Sequence, residues 1–278
     1  MFKAVTTAPR SQPMKSMSAW ERVMLARNPQ RPKAKDLLPH IFEDFIELCG
    51  DRHFGDDAAL YGGLATFEGT PVTVLAQSKG RNLQENLECH FGMVSPEGYR
   101  KAQRLAKQAE KFHRPIITFV DTAGAFPGKE AEERGQAEAI ATSLKLFATL
   151  KTPIIAIVLS EGGSGGALAL SVADRIYMFE NAIYSILSPE GFASILWKDE
   201  SRAKEAAELM ECTSFDLLNK GIIDGIIEES EGGLHQHQKT AILLLKEILR
   251  KELGILSKKK VKQLLDERYK KFRVMGNV

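Results

Sequence analysis

The stretch IIAIVLSEGGSGGALAL, residues 154–170, runs from an apolar segment through a glycine-rich loop into a second apolar segment. Four of the five positions from 162 to 166 are glycine, and the remaining one is Ser164. A short and wholly apolar run such as 154–159 is typical of a buried strand, and glycines allow another backbone or a ligand to come close. The stretch therefore predicts a strand, a turn with a bare backbone, and a helix.

Strands and helices alternate through the middle of the chain. Apolar runs predict strands at 72–77, 116–120, 154–159, 176–179 and 183–186. Apolar residues recur at helical spacing over 99–112 and 137–148. Apolar strands separated by helices indicate an α/β fold with a parallel sheet that is covered on its faces. We also expect a helix over 36–49, and further helices after 234 with a break near Gly254.

A second loop that contains glycine, DTAGAFPG at 121–128, directly follows the strand predicted at 116–120. The carboxyl ends of parallel strands open at one edge of a sheet, where α/β proteins form their ligand sites. We therefore expect the two glycine loops to lie side by side at a ligand site.

These loops predict an oxyanion hole made of backbone amides. With Ser164 as N-cap, the amides of Gly165 and Gly166 lie in the first helical turn, where amides have no intrahelical acceptor. The helix dipole favours negative charge at that position. An amide from the loop of Gly124, Ala125 and Phe126 supplies the opposing donor. Two such donors converging on one oxygen stabilise the negative charge that develops on it.

Other interpretations of the glycine run remain open. Gly162-x-Ser164-x-Gly166 matches the nucleophile elbow of serine hydrolases. The acids and histidines that would follow Ser164 in chain order are Asp199, Asp224, His235 and His237. An upstream HGGG-type loop, which such hydrolases usually carry, is absent from the sequence. A purely structural role in close helix–strand packing also remains open, although two similar loops favour a ligand site.

The composition indicates an ordinary globular protein. The chain has 278 residues, 44% hydrophobic and 27% charged, with a formal net charge of +2, so we expect neither nucleic acid nor membrane as a partner. Cys49, Cys89 and Cys212 are far apart, which favours a reducing compartment and argues against a zinc site in this chain. The N-terminus lacks the apolar segment of a signal peptide. We expect a cytoplasmic protein.

We divide the chain into three parts. Residues 1–35 are predicted to form an N-terminal arm and helix, of which 1–17 are a loose polar arm. Residues 36–230 form the main domain, and 231–278 form a helical extension. The extension carries the basic run 258–262, for which a solvated face and a docking surface both remain open.

Several long strings in the sequence are specific to one known family. They are RNPQRP at 27–32, CGDR at 49–52, FGM at 91–93, PEGYRKA at 96–102, DTAGAFPG at 121–128, EERGQ at 132–136, SEGGSGGAL at 160–168 and SPEG at 188–191. By these strings the chain, from about 20 to 228, closely resembles the alpha subunits of bacterial acetyl-coenzyme A carboxylase carboxyltransferases. The resemblance implies a crotonase-like (ClpP/crotonase) superhelix of ββα units with helical N- and C-terminal extensions.

The same resemblance implies a reaction and a set of partners. In that family, carboxybiotin on a biotin carboxyl carrier protein donates a carboxyl group to acetyl-CoA, which yields malonyl-CoA for fatty acid biosynthesis. A zinc-ribbon beta subunit completes an α2β2 assembly and holds the acetyl thioester. ATP is used only by the separate biotin carboxylase. No metal is expected in this chain.

The resemblance also implies roles for particular residues. Gly165 and Gly166 hold the ureido oxygen of biotin as catalytic backbone donors, with Gly124 and Ala125 beside them. Residues expected to contact substrate are Phe126, Gly163, Ser164, Arg100 and Lys101, the last two through coenzyme A phosphates, although a solvated helix face remains open for that pair. An enoyl-CoA hydratase or isomerase of the same fold is a further alternative. It would need a carboxylate just after the glycine loop, where this chain has alanine and leucine.

Overall fold

The computed structural model describes residues 17–276. The predicted N-terminal arm, 1–17, therefore lies outside the described residues apart from Met17. Across this part of the chain, helices and strands alternate as the apolar pattern predicts, and they build an α/β architecture around a mixed sheet.

The sheet has eight strands in the described residues. They are β1 (Glu43–Glu47), β2 (Leu60–Phe67), β3 (Thr70–Gln77), β4 (Ile116–Thr122), β5 (Ile154–Gly163), β6 (Arg175–Phe179), β7 (Ile183–Ser185) and β8 (Gly225–Ile227). The strands β1, β2 and β3 pair antiparallel, and β3, β4, β5, β6 and β8 follow in parallel order. The five predicted strands are all present. The strand β2 was not predicted, because Gly62 and Gly63 interrupt its apolar pattern.

The strand β5 is the central element for the site. Its first half pairs with β6 from Ile155 to Val158, and its last three residues pair with β7. All ten of its residues are buried. The chain therefore stays extended and hydrogen-bonded as far as Gly163, four residues beyond the end of the predicted strand.

Twelve α-helices cover the sheet and its edges in the described residues. They are α1 (Ala19–Ala26), α2 (Ala34–Ile41), α3 (Leu83–Glu88), α4 (Pro96–Lys111), α5 (Lys129–Glu133), α6 (Gln136–Thr149), α7 (Ser164–Ser171), α8 (Pro189–Trp197), α9 (Ala203–Met210), α10 (Ser214–Asn219), α11 (Gln238–Leu256) and α12 (Val261–Val274). Short 3-10 turns occupy His90–Gly92 and Glu200–Arg202. The helices predicted over 99–112 and 137–148 are α4 and α6.

The helix expected over 36–49 is wrong beyond Ile41. The helix α2 ends there, Phe42 is extended with ψ 153°, and β1 begins at Glu43. The apolar spacing of Phe42 and Phe45 fits a helical period. In the structure, however, Phe42 directly precedes the irregular edge strand β1 and Phe45 lies in it, and both side chains pack on the core.

The break expected near Gly254 is present, and it begins after Leu256. The helix α11 continues through Gly254 to Leu256, because Leu249, Leu253 and Leu256 are buried and hold the last turns against the core. The basic run 258–262 spans the gap between α11 and α12, and its side chains are exposed except Lys259, which is half-buried.

The core is continuous with the C-terminal helices. Apolar residues of α11 and α12 belong to the same buried cluster as the strands, whereas α1 packs on a smaller cluster with Ile183, Ala207 and Cys212. The division at 35 and 230 stays a prediction. In the described residues, no helix is both long enough and apolar enough to cross a membrane.

Candidate active site

The two glycine loops meet backbone to backbone. Thr122 at the end of β4 pairs with Gly162 on β5, so the two loops leave neighbouring parallel strands at the same edge. A Cβ on Gly163 would lie 2.0 Å from the carbonyl oxygen of Ala123, and a Cβ on Gly166 would lie 2.5 Å from the amide nitrogen of Ala125. Only glycine allows this approach, since real Cβ contacts are not that short.

The sequence predicts Ser164 as the N-cap of the helix α7, and this prediction is wrong. Gly163 is the N-cap, and no side chain caps the helix. Since β5 stays extended to Gly163, the turn into the helix falls on Ser164, which has a left-handed backbone (φ 54°) and an exposed side chain. This conformation is uncommon for a residue with a Cβ, and such strain is concentrated at functional sites.

The amides of Gly165 and Gly166 follow directly. Among the residues that the structure describes, neither amide donates a backbone hydrogen bond. Gly165 is half-buried, and Gly166 is buried against the second loop. The first turn of α7 therefore presents free donors beside an exposed Ser164.

The loop of Gly124, Ala125 and Phe126 is held from two sides. The amide of Gly124 donates to Oγ1 of Thr122 (3.1 Å), and the amide of Phe126 donates to the carbonyl oxygen of Val94 (3.1 Å). The ring of Phe126 stacks on His90 with ring centroids 4.1 Å apart. The structure thus brings Gly124, Ala125 and Phe126 next to Gly163 and Gly166.

Side chains from the core bind the carbonyl oxygens of α7. Nε2 of Gln77 and Oη of Tyr99 both donate to the carbonyl oxygen of Gly166, at 2.7 and 3.3 Å. One turn later, Oγ1 of Thr118 donates to the carbonyl oxygen of Leu170 at 2.8 Å. All three side chains are fully buried.

Behind the loops lie two groups of ion-paired side chains, which together we call the ion-pair layer. Its members are Arg27, Arg31, Lys79, Asp121, Glu161, Glu190 and Glu229. Arg27 donates to Glu161 (2.8 Å) and to Glu190 (2.7 Å). Lys79 binds Glu161 and lies 3.2 Å from Asp121. These contacts connect the ends of β3, β4 and β5 with the N-terminal segment.

A second part of the layer supports β5 just before the glycines. Arg31 donates to the carbonyl oxygen of Leu159 (2.8 Å) and to Oγ of Ser160 (3.1 Å). It also pairs with Glu229 through two hydrogen bonds of 2.6 and 3.0 Å. Both side chains of this pair are inaccessible to solvent.

The pKa values of three acids of the ion-pair layer, Glu161, Glu190 and Glu229, are held below their usual value. Burial by itself raises the pKa of Glu161, but Lys79 and Arg27 outweigh it and hold that pKa below its usual value. Burial lowers the pKa of Lys79, and Asp121 with Glu161 raises it above its usual value. Glu161 therefore lacks the raised pKa that a general acid near neutral pH would need.

Arg100 and Lys101 are bound elsewhere. Arg100 pairs with Asp51 at 2.8 Å. Nζ of Lys101 lies 2.5 Å from Asp56 and also donates to the carbonyl oxygen of Asp57, and its residue is fully buried. Their contact with phosphates stays a prediction, and the burial of Lys101 argues against it.

One group in the described residues has the donor types of a metal site. Ligand atoms of Glu47, Cys49 and Asp56 lie within 4.8 Å of one another on the exposed surface. Burial and the neighbouring acids raise the pKa of Cys49, so the thiol stays protonated. Lys101 already binds Asp56 with its own positive charge. This arrangement is unsuited to a cation.

The residues of the serine-hydrolase alternative do not form a triad in the described residues. Asp199 accepts from Ser201 in a 3-10 turn, and Asp224 binds Lys271 and the amide of Ile176. No hydrogen bond joins Ser164 to a histidine within residues 17–276. Within this part of the chain, Ser164, at the left-handed turn, therefore has no base to activate it as a nucleophile.

The cavity beside the glycine loops is small. Ala123, Gly162 and Gly163 line it together with Arg27 and Glu161, and its volume is about 40 Å³, enough for a few water molecules. A larger groove of about 530 Å³ lies at Arg100 and Arg134 and contains none of the predicted donors. Neither cavity is lined by Gly165 or Gly166, of which the first is half-buried and the second is buried.

Sequence reasoning missed the residues that support the loops. Gln77, Lys79 and Arg27 are far from the glycines along the chain, and only the folded structure brings them together. A weak signal existed at Gln77 and Asp121, which are polar residues directly at the ends of apolar strands.

Comparison with known sequences identifies close relatives. The model of the family "Acetyl co-enzyme A carboxylase carboxyltransferase-like" matches residues 2–276. The acetyl-coenzyme A carboxylase carboxyl transferase subunit alpha of Clostridium acetobutylicum is 56% identical over 260 residues, which is 94% of this chain and 95% of the relative. The subunit of the same name from Listeria monocytogenes is 53% identical over 94% of this chain and 82% of its own length.

Comparison with solved structures identifies the fold. Transcarboxylase 12S, with methylmalonyl-coenzyme A bound, superposes with a TM-score of 0.68 at 19% identity, over 84% of this chain and 44% of its own. A Pseudomonas malonate decarboxylase hetero-tetramer in complex with coenzyme A gives a TM-score of 0.63 at 18% identity, over 78% of this chain and 86% of its own. The crotonase-like fold expected from the sequence is confirmed.

Proposed function

The chain belongs to the acetyl co-enzyme A carboxylase carboxyltransferase-like family, and we propose how its residues contribute to the reaction of that family. The reaction is the biotin-dependent transfer of a carboxyl group to acetyl-CoA, which gives malonyl-CoA, the first committed step of fatty acid biosynthesis. This chain is the alpha component of that enzyme. The hydrolase and hydratase alternatives are not favoured.

The glycine loops suit the ureido oxygen of biotin as a ligand. When bound, carboxybiotin supplies the carboxyl group. The free amides of Gly165 and Gly166 donate to the ureido oxygen, and no Cβ on either residue blocks its approach. Because the negative charge on that oxygen grows as the carboxyl group leaves, these donors stabilise the transition state more than the ground state.

The remaining site residues support this arrangement. Gly124 and Ala125 hold the opposite wall by direct backbone contact with Gly166. Phe126, Gly163 and Ser164 line the approach, and their contact with substrate is part of the proposal. Arg100 remains a candidate for coenzyme A phosphates. None of these roles needs a titrating side chain, which agrees with the lowered pKa values of the three acids in the ion-pair layer.

We further propose that another subunit closes the site. The cavity of about 40 Å³ beside the loops is too small for the fused rings of biotin, and the exposed Ser164 next to the half-buried Gly165 places the start of α7 at the protein surface. A beta subunit with a zinc ribbon, in an α2β2 assembly, would complete the site and hold the acetyl thioester. The carrier protein and the biotin carboxylase complete the enzyme. The relatives' name, "subunit alpha", supports a multi-subunit complex.

A cytoplasmic location is part of the same proposal. Cys49, Cys89 and Cys212 are all free thiols in the structure. Free cysteines are typical of a reducing compartment, and malonyl-CoA synthesis draws on metabolites of that compartment.

The single observation that carries the proposal is the backbone contact between the two loops beside free amides at the start of α7. The test mixes this chain with its zinc-ribbon partner and measures the decarboxylation of malonyl-CoA in the presence of free biotin. We expect turnover by the complex and none by the isolated chain. Full activity of the isolated chain would overturn the shared site.

A pair of variants separates the amide from the side chain at position 165. Gly165→Pro removes the N–H, and we expect kcat to fall about 10²–10³-fold, the usual effect of losing one such donor. Gly165→Ala keeps the amide, and its Cβ would lie 3.6 Å from Cγ2 of Ile140, an ordinary contact. We expect the alanine variant to assemble normally and to lose far less activity. Equal activity of the two variants would contradict the role of the amide.

A further inference from the structure

The carbonyl oxygen of Gly166 receives two side-chain donors from different parts of the core. Nε2 of Gln77, the last residue of β3, donates at 2.7 Å. Oη of Tyr99, in the first turn of α4, donates at 3.3 Å. Both side chains are completely buried. One strand and one helix of the core thus converge, through these side chains, on one carbonyl group in the first turn of α7.

The backbone that leads to this carbonyl group carries the free amides of Gly165 and Gly166 and needs external restraint. Gly165 and Gly166 have no side chains to anchor them, and glycine is the most flexible residue, so Gly166 is held on this side only by its backbone contact with Gly124 and Ala125. The preceding Ser164 has an unfavourable left-handed backbone. Yet donors that stabilise charge act only if they need not reorganise during the reaction. The absence of side chains at Gly165 and Gly166 lets the ligand approach, but it also makes the backbone there more flexible. Other residues must therefore hold that backbone in place.

The direction of the two hydrogen bonds suits this purpose. In a helix the carbonyl groups point toward the C-terminal end and the first amides point away from it. Donors on the carbonyl oxygen of Gly166 therefore bind on the side opposite the free amides. Gln77 and Tyr99 hold the turn while leaving the amides of Gly165 and Gly166 available to a ligand.

Gln77 leaves one of its own polar atoms unsatisfied. In the described residues its Oε1 is buried without a hydrogen-bond partner. Such an orphaned acceptor is unfavourable, and an apolar side chain of similar size would avoid it. Burial raises the pKa of Tyr99, so its hydroxyl keeps the proton that it donates. The orphaned acceptor of Gln77 is therefore not explained by stability alone.

We propose that Gln77, assisted by Tyr99, is a positioning residue for carboxyl transfer, which holds the Gly166 carbonyl inward and so aims the amides of Gly165 and Gly166 at the ligand oxygen. This inference rests on the proposed function of those amides. Gln77 does not touch substrate and acts only through the backbone.

The test uses the complex with the zinc-ribbon partner and measures malonyl-CoA decarboxylation with free biotin. Gln77→Met keeps the size of the side chain and removes both the donor and the orphaned acceptor. We expect kcat to fall about 10-fold, with the KM for malonyl-CoA unchanged, because the lost contact acts on the transition state. The Tm should stay within about 3 °C of the wild type. Tyr99→Phe removes the longer hydrogen bond, and we expect a fall in kcat of about 3-fold.

Thr118→Val is the matched control. It removes a buried hydrogen bond to a carbonyl oxygen of the same helix, one turn farther from the free amides. We expect its Tm to fall and its kcat to stay at the wild-type value. An unchanged kcat in Gln77→Met, or an equal loss of kcat in Thr118→Val, would overturn the inference. If Gln77→Met does not assemble with the zinc-ribbon partner, the kcat of Tyr99→Phe is the test instead, and an unchanged kcat in that variant would overturn the inference.

The inference and the proposed function fail separately. If Gly165→Pro retains turnover in this assay, the amides are not catalytic and the proposed function is wrong. If Gly165→Pro is inactive and Gln77→Met matches the wild type, the amides act but need no restraint from Gln77, and only the positioning role is lost.

Discussion

Along β5 the ion-pair layer ends at Glu161 and the glycine loop begins at Gly162, yet the two regions are built in opposite ways. The layer consists of charged side chains, most of them buried and each within reach of an oppositely charged partner. The two glycine loops, residues 121–128 and 162–166, which we call the rim, meet through backbone atoms, with glycines at the contacts. The comparison teaches that a surface which acts through its backbone amides lacks side chains where the backbones meet. The side chains packed behind that surface therefore determine its shape.

The largest expected effect concerns the rim itself. Gly166→Ala places a Cβ 2.5 Å from the amide nitrogen of Ala125 and 2.6 Å from the carbonyl carbon of Gly124, so the two loops must separate. We expect kcat to fall at least about 10²-fold, as for a displaced oxyanion donor. Steady-state decarboxylation of malonyl-CoA by the complex measures it. Near-normal activity would show that close contact of the loops is not needed.

The next effect concerns the ion-pair layer. Glu229→Gln leaves the buried guanidinium of Arg31 without its counter-charge. Removing one partner of a buried pair costs about 3–5 kcal/mol, and urea unfolding should show a loss of that order in the free energy of unfolding. As a control, Glu68→Gln breaks an exposed pair with Arg250 and should leave stability unchanged. If Glu229→Gln instead lowered kcat without loss of stability, the layer would have a direct role in the reaction.

A smaller effect comes from an ion pair away from the rim. Burial alone raises the pKa of Asp51, but the hydrogen bond from Arg100 and those from the amides of His53, Phe54 and Gly55 lower it from 3.8 to about 2. The folded pKa is below the unfolded one, so this stabilisation is complete above about pH 5 and is lost as the pH falls toward 2.

The variant Asp51→Asn tests the predicted direction of this pH dependence of stability. The variant should lose about 2 kcal/mol at pH 7, and its stability should depend less on pH between about 5 and 2 than that of the wild type. Urea unfolding across this range measures both quantities. A variant whose acid sensitivity equals that of the wild type would show that other carboxylates control acid unfolding.

The smallest effect is expected at Ser164, the exposed side chain on the rim. Ser164→Ala removes the hydroxyl that a serine hydrolase would require, but no capping bond, since the side chain caps nothing. We expect kcat to stay within about 2-fold of the wild type, and a fluorophosphonate probe to leave Ser164 unlabelled. Labelling of Ser164, with loss of activity in the alanine variant, would restore the hydrolase interpretation.

The sequence by itself determined the strand–loop–helix units and the glycine loops, because apolar periodicity and glycine act within a few residues. The neighbouring position of the loops also followed, since parallel order fixes which strand ends share an edge. The strings at 121–128 and 160–168 identified the family for the same local reason.

Only the tertiary structure decided how those loops are held. Ser164 is left-handed because β5 pairs with β7 as far as Gly163, a contact that no local pattern contains. The bond from Gln77 to Gly166 joins residues 89 apart, and the pair of Arg31 and Glu229 joins residues 198 apart. Such contacts depend on where the whole chain places each side chain, so a reading of neighbouring residues does not reveal them.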